Sequence, residues 1–270
     1  MKEVYRQMRP LLGTYVEIGC YADEKQFKVA PAFTAIEKIQ NLLSFHNPKS
    51  DLSRLNSANG CEIALDSWSI QVLKLAKAVS VASQGLFNPT LGGELQHLGY
   101  LPKHPTALLE TSNSTVRYGT EADIEIKSRK ARLRRPVKVV LDGIAKGYAV
   151  DRAVQLMKKN GFTAGWVNAG GDIRVFGDLT IPISRRLHDG EIETLGGLKD
   201  LAIATSNVTN AFSKEYPGWI VSDQQYFPEI GTYSVIAKQA WRADALTKVS
   251  CLASSNDRAQ IIHQLGGYSV

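Results

Sequence analysis

The sequence predicts an α+β fold, a single mixed α/β domain over residues 1–270. Three observations point there. Strand-like and helix-like segments are interleaved without a strict βαβ repeat. No internal repeat or low-complexity tract divides the chain. Hydrophobic residues make up 44% and charged residues 21%, the balance of a globular protein rather than of a disordered or membrane-spanning one.

The elements follow in order. TYVEIGCY (Thr14 to Tyr21) is rich in β-formers and alternates, predicting a strand. Phe27, Ala30, Phe33, Ala35, Ile36, Ile39, Leu42 and Leu43 recur at helical spacing, predicting a helix that ends near Ser44 to Pro48. Pro31 falls early in it, where a first turn tolerates proline. A polar loop follows, with a short helical piece at Leu52 to Leu55. Ser67 to Ser83 reads as an amphipathic helix with Asp66 as N-cap, running out at Gly85. The segments 103–113 and 127–137 read as connections.

KVVLD (Lys138 to Asp142) is a short apolar run, predicting a buried strand. A helix follows over Gly147 to Lys159, with Val150, Ala153, Val154 and Met157 on one face and Asn160–Gly161 as its stop. GWVNAGGDIRVFGD reads as two strands around an Ala-Gly-Gly-Asp turn. A further strand at Leu201 to Ala204 runs into Thr205 and Ser206. SVIAKQA precedes a last helical segment from Ala243, and IIHQLGGYSV ends on another turn.

The formal net charge is +6, which suits an anionic small ligand as well as nucleic acid. RKARLRR (Arg129 to Arg135) is the only dense basic run and has no interleaved aromatics, so it reads as a solvated strand or turn; no nucleic-acid partner is expected. Cys20, Cys61 and Cys251 lie far apart without CxxC spacing, which predicts free thiols rather than a disulfide or zinc site. His46, His97, His104, His188 and His263 stand singly, without metal-ligand spacing. The first residues lack the apolar core of a signal peptide, and no run approaches a membrane span. A cytoplasmic location is therefore expected, or a periplasmic or membrane-associated one if a leader has been removed.

Chemistry concentrates in GIAKGYAVDRA (Gly143 to Ala153). Lys146 stands between two small residues at a helix entrance, where a point charge and free N–H groups suit a phosphate. Gly147 would admit a ligand close to the backbone. No GxxxxGK[ST] loop and no GxGxxG fingerprint is present. Asp151, Asn168 and the turn Gly170-Gly171-Asp172 follow within thirty residues, resembling a ligand wall. Ser206 lacks a G-x-S-x-G elbow and is not read as a hydrolase nucleophile. The four tryptophans read as core or pocket walls, with Trp68 or Trp166 as the ones able to stack on an aromatic ligand.

GIAKGYAVDRA followed by WVNAGGDIRVFG resembles the paired signature of the ApbE-type FAD:protein FMN transferases. Further blocks resemble the family in the same order: RPLLGTYVEI (Arg9 to Ile18), SFHNPKSDLSRLN (Ser44 to Asn56), GLFNPTLGGEL (Gly85 to Leu95), AIATS (Ala202 to Ser206) and ADALTK (Ala243 to Lys248). The resemblance implies an ApbE-like domain over 1–270 that takes FAD as substrate. With magnesium it would cleave the pyrophosphate, move FMN onto a threonine or serine of a target protein, and release AMP. It further implies nucleotide contacts at Lys146, Gly147, Asp151, Asn88, Gly170, Gly171, Asp172 and Ser206. Asp244 and Thr205 would be catalytic, and Asp244, the Ala145 carbonyl and Thr247 would hold Mg2+.

The chain departs from that pattern at four places. Asn88 stands where the family has aspartate after G-x-F. Of D-L-x-G before the lysine block, only Asp142 of the two acids remains in Val140-Leu141-Asp142-Gly143. In ADALTK, Lys248 stands where the family has threonine, and Thr247 lies one residue earlier. The H-I-x-D-P-x-T-G stretch is not recognisable, and YPGWIVSDQQY (Tyr216 to Tyr226) occupies the region. Two readings stay open: a divergent transferase in which Lys248 supplies charge in place of magnesium, and a protein that binds FAD or another adenine nucleotide but has lost the transfer step.

Overall fold

Alternation of exposed and half-buried residues marks Val4–Leu11 (β1) as an edge strand; it pairs with Thr14–Tyr21 (β2), Leu11 opposite Thr14. The computed structural model describes residues 3–24, 29–102, 116–209, 220–222 and 228–270. The chain continues through α1 (Ala30–Leu43), α2 (Asp51–Asn56), β3 (Ile63–Ala64), α3 (Ser67–Ala82), α4 (Gly92–His97), β4 (Ile124–Lys127) and β5 (Lys130–Leu133). Then come α5 (Ala145–Lys159), β6 (Gly165–Ala169), β7 (Asp172–Phe176), β8 (Thr180–Arg186), β9 (Ile192–Lys199) and β10 (Ala202–Val208). β11 (Gly231–Ala237), α6 (Ala240–Leu252), α7 (Arg258–Gln264) and β12 (Gly267–Ser269) complete it. The mixed α/β class expected from the interleaved patterning is what the structure shows.

These elements form two compact units, Met1–Gln40 with Ile144–Gly218 and Glu229–Val270, and Asn41–Gly143 with Trp219–Pro228. The first is built on an antiparallel sheet in the order β1-β2-β6-β7-β10-β11-β12. Side chains alternate between the faces of a strand, so register decides what meets what. Ala202 lies opposite Arg174, which puts Asp172, Arg174, Ala204 and Ser206 on one face, the one covered by α5 and α6. Trp166, Ile173, Val175 and Ile203 point the other way and pack with Ile183 and Leu198 of the β8–β9 hairpin.

The second unit holds α2, α3, α4 and the small sheet β3-β5-β4. Asp66 caps α3 as expected, accepting from the Trp68 N–H at 2.8 Å. KVVLD corrects the sequence reading. Val139 and Leu141 are fully buried, yet the stretch makes a single bridge, Leu91 with Lys138, rather than a strand. A side chain replaces the missing ladder: Asn56 Nδ2 donates to the Val139 carbonyl at 2.8 Å and Oδ1 accepts the Val139 N–H at 2.7 Å. The basic run proves to be β5 and its exit, with acids beside it. Arg132 and Arg134 bind Glu125, and Arg135 binds Asp123 through two nitrogens at 2.6 Å. Hydrogen bonds from Arg132 and Lys127 hold the Glu125 carboxyl down at about 2.

Other differences have equally local causes. The last long helix begins at Ala240, three residues before the expected Ala243, because its opening N–H groups are satisfied from another element. β1, α4 and the β8–β9 hairpin were not expected: α4 is short, β1 has no fully buried side chain, and the hairpin strands are mostly exposed. The first long helix is described from Ala30; Phe27, His104 and most of Tyr216 to Tyr226 lie outside the described residues.

Because Asn56 satisfies two buried backbone groups of KVVLD, Asn56→Ala should cost about 2–4 kcal/mol in urea unfolding. A loss under ~1 kcal/mol would show that water replaces the amide at no penalty.

Candidate functional site

Two helices of the first unit cap each other. The Gly147 N–H, in the first turn of α5, donates to Oδ2 of Asp244 on α6 at 3.1 Å. In return Asp151 of α5 receives the start of α6: Oδ1 accepts from the Ala240 N–H at 3.1 Å and Oδ2 from the Trp241 N–H at 2.9 Å. Neither helix has a side-chain cap at its own N-cap residue, so each relies on the other's carboxylate. The backbones come so close that a Cβ on Gly147 would lie 2.3 Å from the Ala240 oxygen. The approach of α6 therefore requires glycine at this position.

Asp151 is further tied to Arg174 on β7, whose Nη1 donates to Oδ1 at 2.7 Å. Burial pushes the Asp151 carboxyl above its ordinary value, against the pull of Arg174 and the two amides. Its carboxylate is thus held by Arg174 and by the Ala240 and Trp241 amides. Sequence reading passed over Arg174; the available signal was its place two residues after Asp172, on the same face of β7.

Charge gathers at the start of α5. Lys146 donates to Oδ2 of Asp172 at 2.8 Å, with the lysine side chain 35% exposed and the aspartate 2%. Lys248 donates to Oδ1 of Asp244 from one turn along α6, and Asp244 has no exposed surface. Burial raises the Asp172 carboxyl; Lys146 opposes the rise and the neighbouring charge of Asp244 adds to it. Burial acts in the same sense on Asp244, but Lys248, Lys146 and the Gly147 amide outweigh it and hold Asp244 below the ordinary value. The result is two ammonium groups interleaved with two buried carboxylates.

The remaining candidates separate. Gly170 and Gly171 form a two-residue hairpin turn at φ +60° and +99°, closed by Ala169 opposite Asp172 and by the Gly171 N–H donating to Asn168 Oδ1 at 2.9 Å. A Cβ on Gly170 would meet Thr14 at 2.8 Å, whereas Gly171 faces open space. Ser206 lies 2.7 Å from the Thr247 hydroxyl, and Thr247 donates to the Asp244 carbonyl at 2.7 Å, so both are tied to the turn of α6 that carries Asp244. Thr205 points to the opposite face of the sheet, toward Ser234 at 2.8 Å. Asn88, in the second unit, makes an Asx turn: Oδ1 accepts from the Thr90 N–H at 2.9 Å and Nδ2 donates to the Gly119 carbonyl at 3.0 Å. Trp166 is only 4% exposed, with Glu17 on its Nε1 and a ring so close to Gly19 that an added Cβ would clash. It is a core residue, as the leading reading of the tryptophans expected, and is not open to stacking on a ligand; Trp68 stands half-buried in the first turn of α3.

A model of the ApbE family matches residues 12–270. The chain belongs to the ApbE family. Among relatives named FAD:protein FMN transferase, the Treponema pallidum protein is 23% identical over 97% of this chain and 82% of its own length. The Klebsiella pneumoniae protein is 22% identical over 70% of this chain, a match that spans 61% of the relative. Of the solved structures, the ApbE protein of Thermotoga maritima superposes with a TM-score of 0.82 at 22% identity, covering 99% of this chain and 93% of that one.

Membership raises the question of whether the magnesium expected at Asp244, Ala145 and Thr247 fits here. The donor chemistry is against it. Both Asp244 oxygens have protein donors, one of them an ammonium, and the Thr247 hydroxyl is engaged on two sides. Magnesium demands near-octahedral oxygen ligands, and a lysine offers no lone pair. Among the described residues no three His, Cys, Asp or Glu side chains group so as to hold a metal.

Gly147→Ala provides a test of sign. In an open helix the change stabilises by about 1 kcal/mol, but here the methyl group should cost about 1–3 kcal/mol by driving α6 away. Urea unfolding measures it; a stabilised mutant would show that α5 and α6 are not in backbone contact.

Proposed function

We propose that the chain is an FAD:protein FMN transferase, with residues 1–270 acting as one flavin transferase domain. Lys146 is the observation that carries the reading. Its side chain is partly exposed at the start of α5, and Asp172 fixes the ammonium in place. Such a group suits the pyrophosphate of FAD, with Asp172 orienting the lysine and the Gly170–Gly171 turn setting Asp172 at the end of β7. Ser206 and Thr247 provide hydroxyl groups on the same side of the sheet.

In the reaction, a threonine or serine oxygen of the target protein attacks the phosphorus on the FMN side. A new P–O ester bond forms, the P–O bond to the AMP side breaks, AMP leaves with the bridging oxygen, and the hydroxyl proton passes to water. Lys146 stabilises the negative charge that builds on the phosphoryl oxygens. Asp151 acts at a distance by holding the start of α6, and with it Asp244, in place.

A second reading, an FAD-binding protein without turnover, is favoured by two features. Asp244 has both oxygens occupied, and Thr205 faces away from it. Incubation with FAD and a threonine-containing target peptide separates the two. Transfer yields AMP and a fluorescent peptide; binding alone yields neither.

Lys146→Ala should weaken FAD binding at least tenfold, or ~1.4 kcal/mol, in a flavin fluorescence titration. Unchanged affinity in a mutant with wild-type thermal stability would remove Lys146 from the nucleotide site.

A further inference from the structure

We propose that Lys248 is a resident cation which takes the place of a divalent ion beside Asp244, so that the site engages its pyrophosphate ligand without metal. The pyrophosphate part rests on the reading given under Proposed function; the claim about the metal does not.

Asp244 has no exposed surface, and a buried carboxylate needs a compensating charge. Lys248 supplies one to Oδ1 from the next turn of the same helix, and the Gly147 amide satisfies Oδ2. Asp172 is matched in the same way by Lys146. The four side chains sum to zero charge, two carboxylates against two ammonium groups. A divalent ion entering this neutral cluster would leave it at +2 and would face the Lys248 ammonium within contact distance of the same oxygen. To bind, it would have to expel Lys248 and then gather most of its ligands from water, since Thr247 is already bonded to Ser206 and to the Asp244 carbonyl.

The geometry also explains why a lysine is held here at all. An exposed pair at this spacing contributes little, but Asp244 is wholly buried while the Lys248 side chain is 21% exposed. Removing Lys248 therefore leaves a wholly buried carboxylate with one oxygen freed, held only by the Gly147 amide and the charge of Lys146. A freed, buried carboxylate oxygen is a ligand that a hard cation favours.

Mn2+ provides a direct probe, because its free signal in electron paramagnetic resonance falls as it binds. Wild-type protein should leave the Mn2+ signal unaltered, whereas Lys248→Thr should take up one ion per chain, and Lys248→Thr with Asp244→Asn should lose it again. In parallel, wild-type affinity for FAD should be equal in magnesium and in chelator, while Lys248→Thr should bind FAD about tenfold more tightly with magnesium. Stoichiometric Mn2+ binding by wild-type protein that Asp244→Asn abolishes would overturn the proposal, and this arm needs no folded lysine variant. A folded Lys248→Thr protein that takes up no Mn2+ would overturn it too. Wild-type protein that binds no FAD in either buffer would instead sink the transferase reading, with the Mn2+ measurement still deciding the role of Lys248.

Discussion

The reciprocal capping of α5 and α6 is the constraint on which the rest of this site depends. Each helix begins without a cap of its own and finds one on its neighbour, Asp244 for α5 and Asp151 for α6. Such an arrangement works only if the two helix starts lie almost in contact, and Gly147 is the residue that lets them. Once they are locked together, Lys146 and Lys248 have little choice of position. Each is brought within reach of a buried aspartate, and β7 contributes Asp172 and Arg174 to the same face.

This arrangement spends helix N-terminal amides on protein carboxylates rather than on a ligand. An open helix start attracts anions, but the Gly147 N–H already has a full negative charge in front of it. In the proposed reading, attraction for a phosphate therefore falls to side chains, and above all to Lys146, whose side chain is partly exposed. The site is built from fixed charges with fixed partners, which favours orientation over net attraction.

Much of this architecture is legible in the residues. Alternation gave β2, the glycine pair gave the β6–β7 hairpin, and helical spacing gave α1, α3 and α5. KVVLD was misread because its apolar composition describes a buried extended segment equally well with or without a ladder, and only the Asn56 amide distinguishes them. α6 hid its start for a related reason. It is buried on nearly every side, so it shows no amphipathic stripe, and its cap lies 89 residues away in sequence.

The sequence by itself determined the ordered ApbE blocks, the lysine at a helix entrance, the two-residue glycine turn and the presence of Lys248 where the family pattern has a hydroxyl. These are local features, carried by residue type and short spacing. Tertiary structure decided what they mean. It made Gly147 the point where two helices touch, gave Asp151 to α6 and Arg174, and sent Thr205 to the far face of the sheet. It also set the Lys248 ammonium on the buried Asp244. Side-chain partners across tens of residues depend on strand register and on the distance between helix axes, and neither is written in any short stretch of the chain.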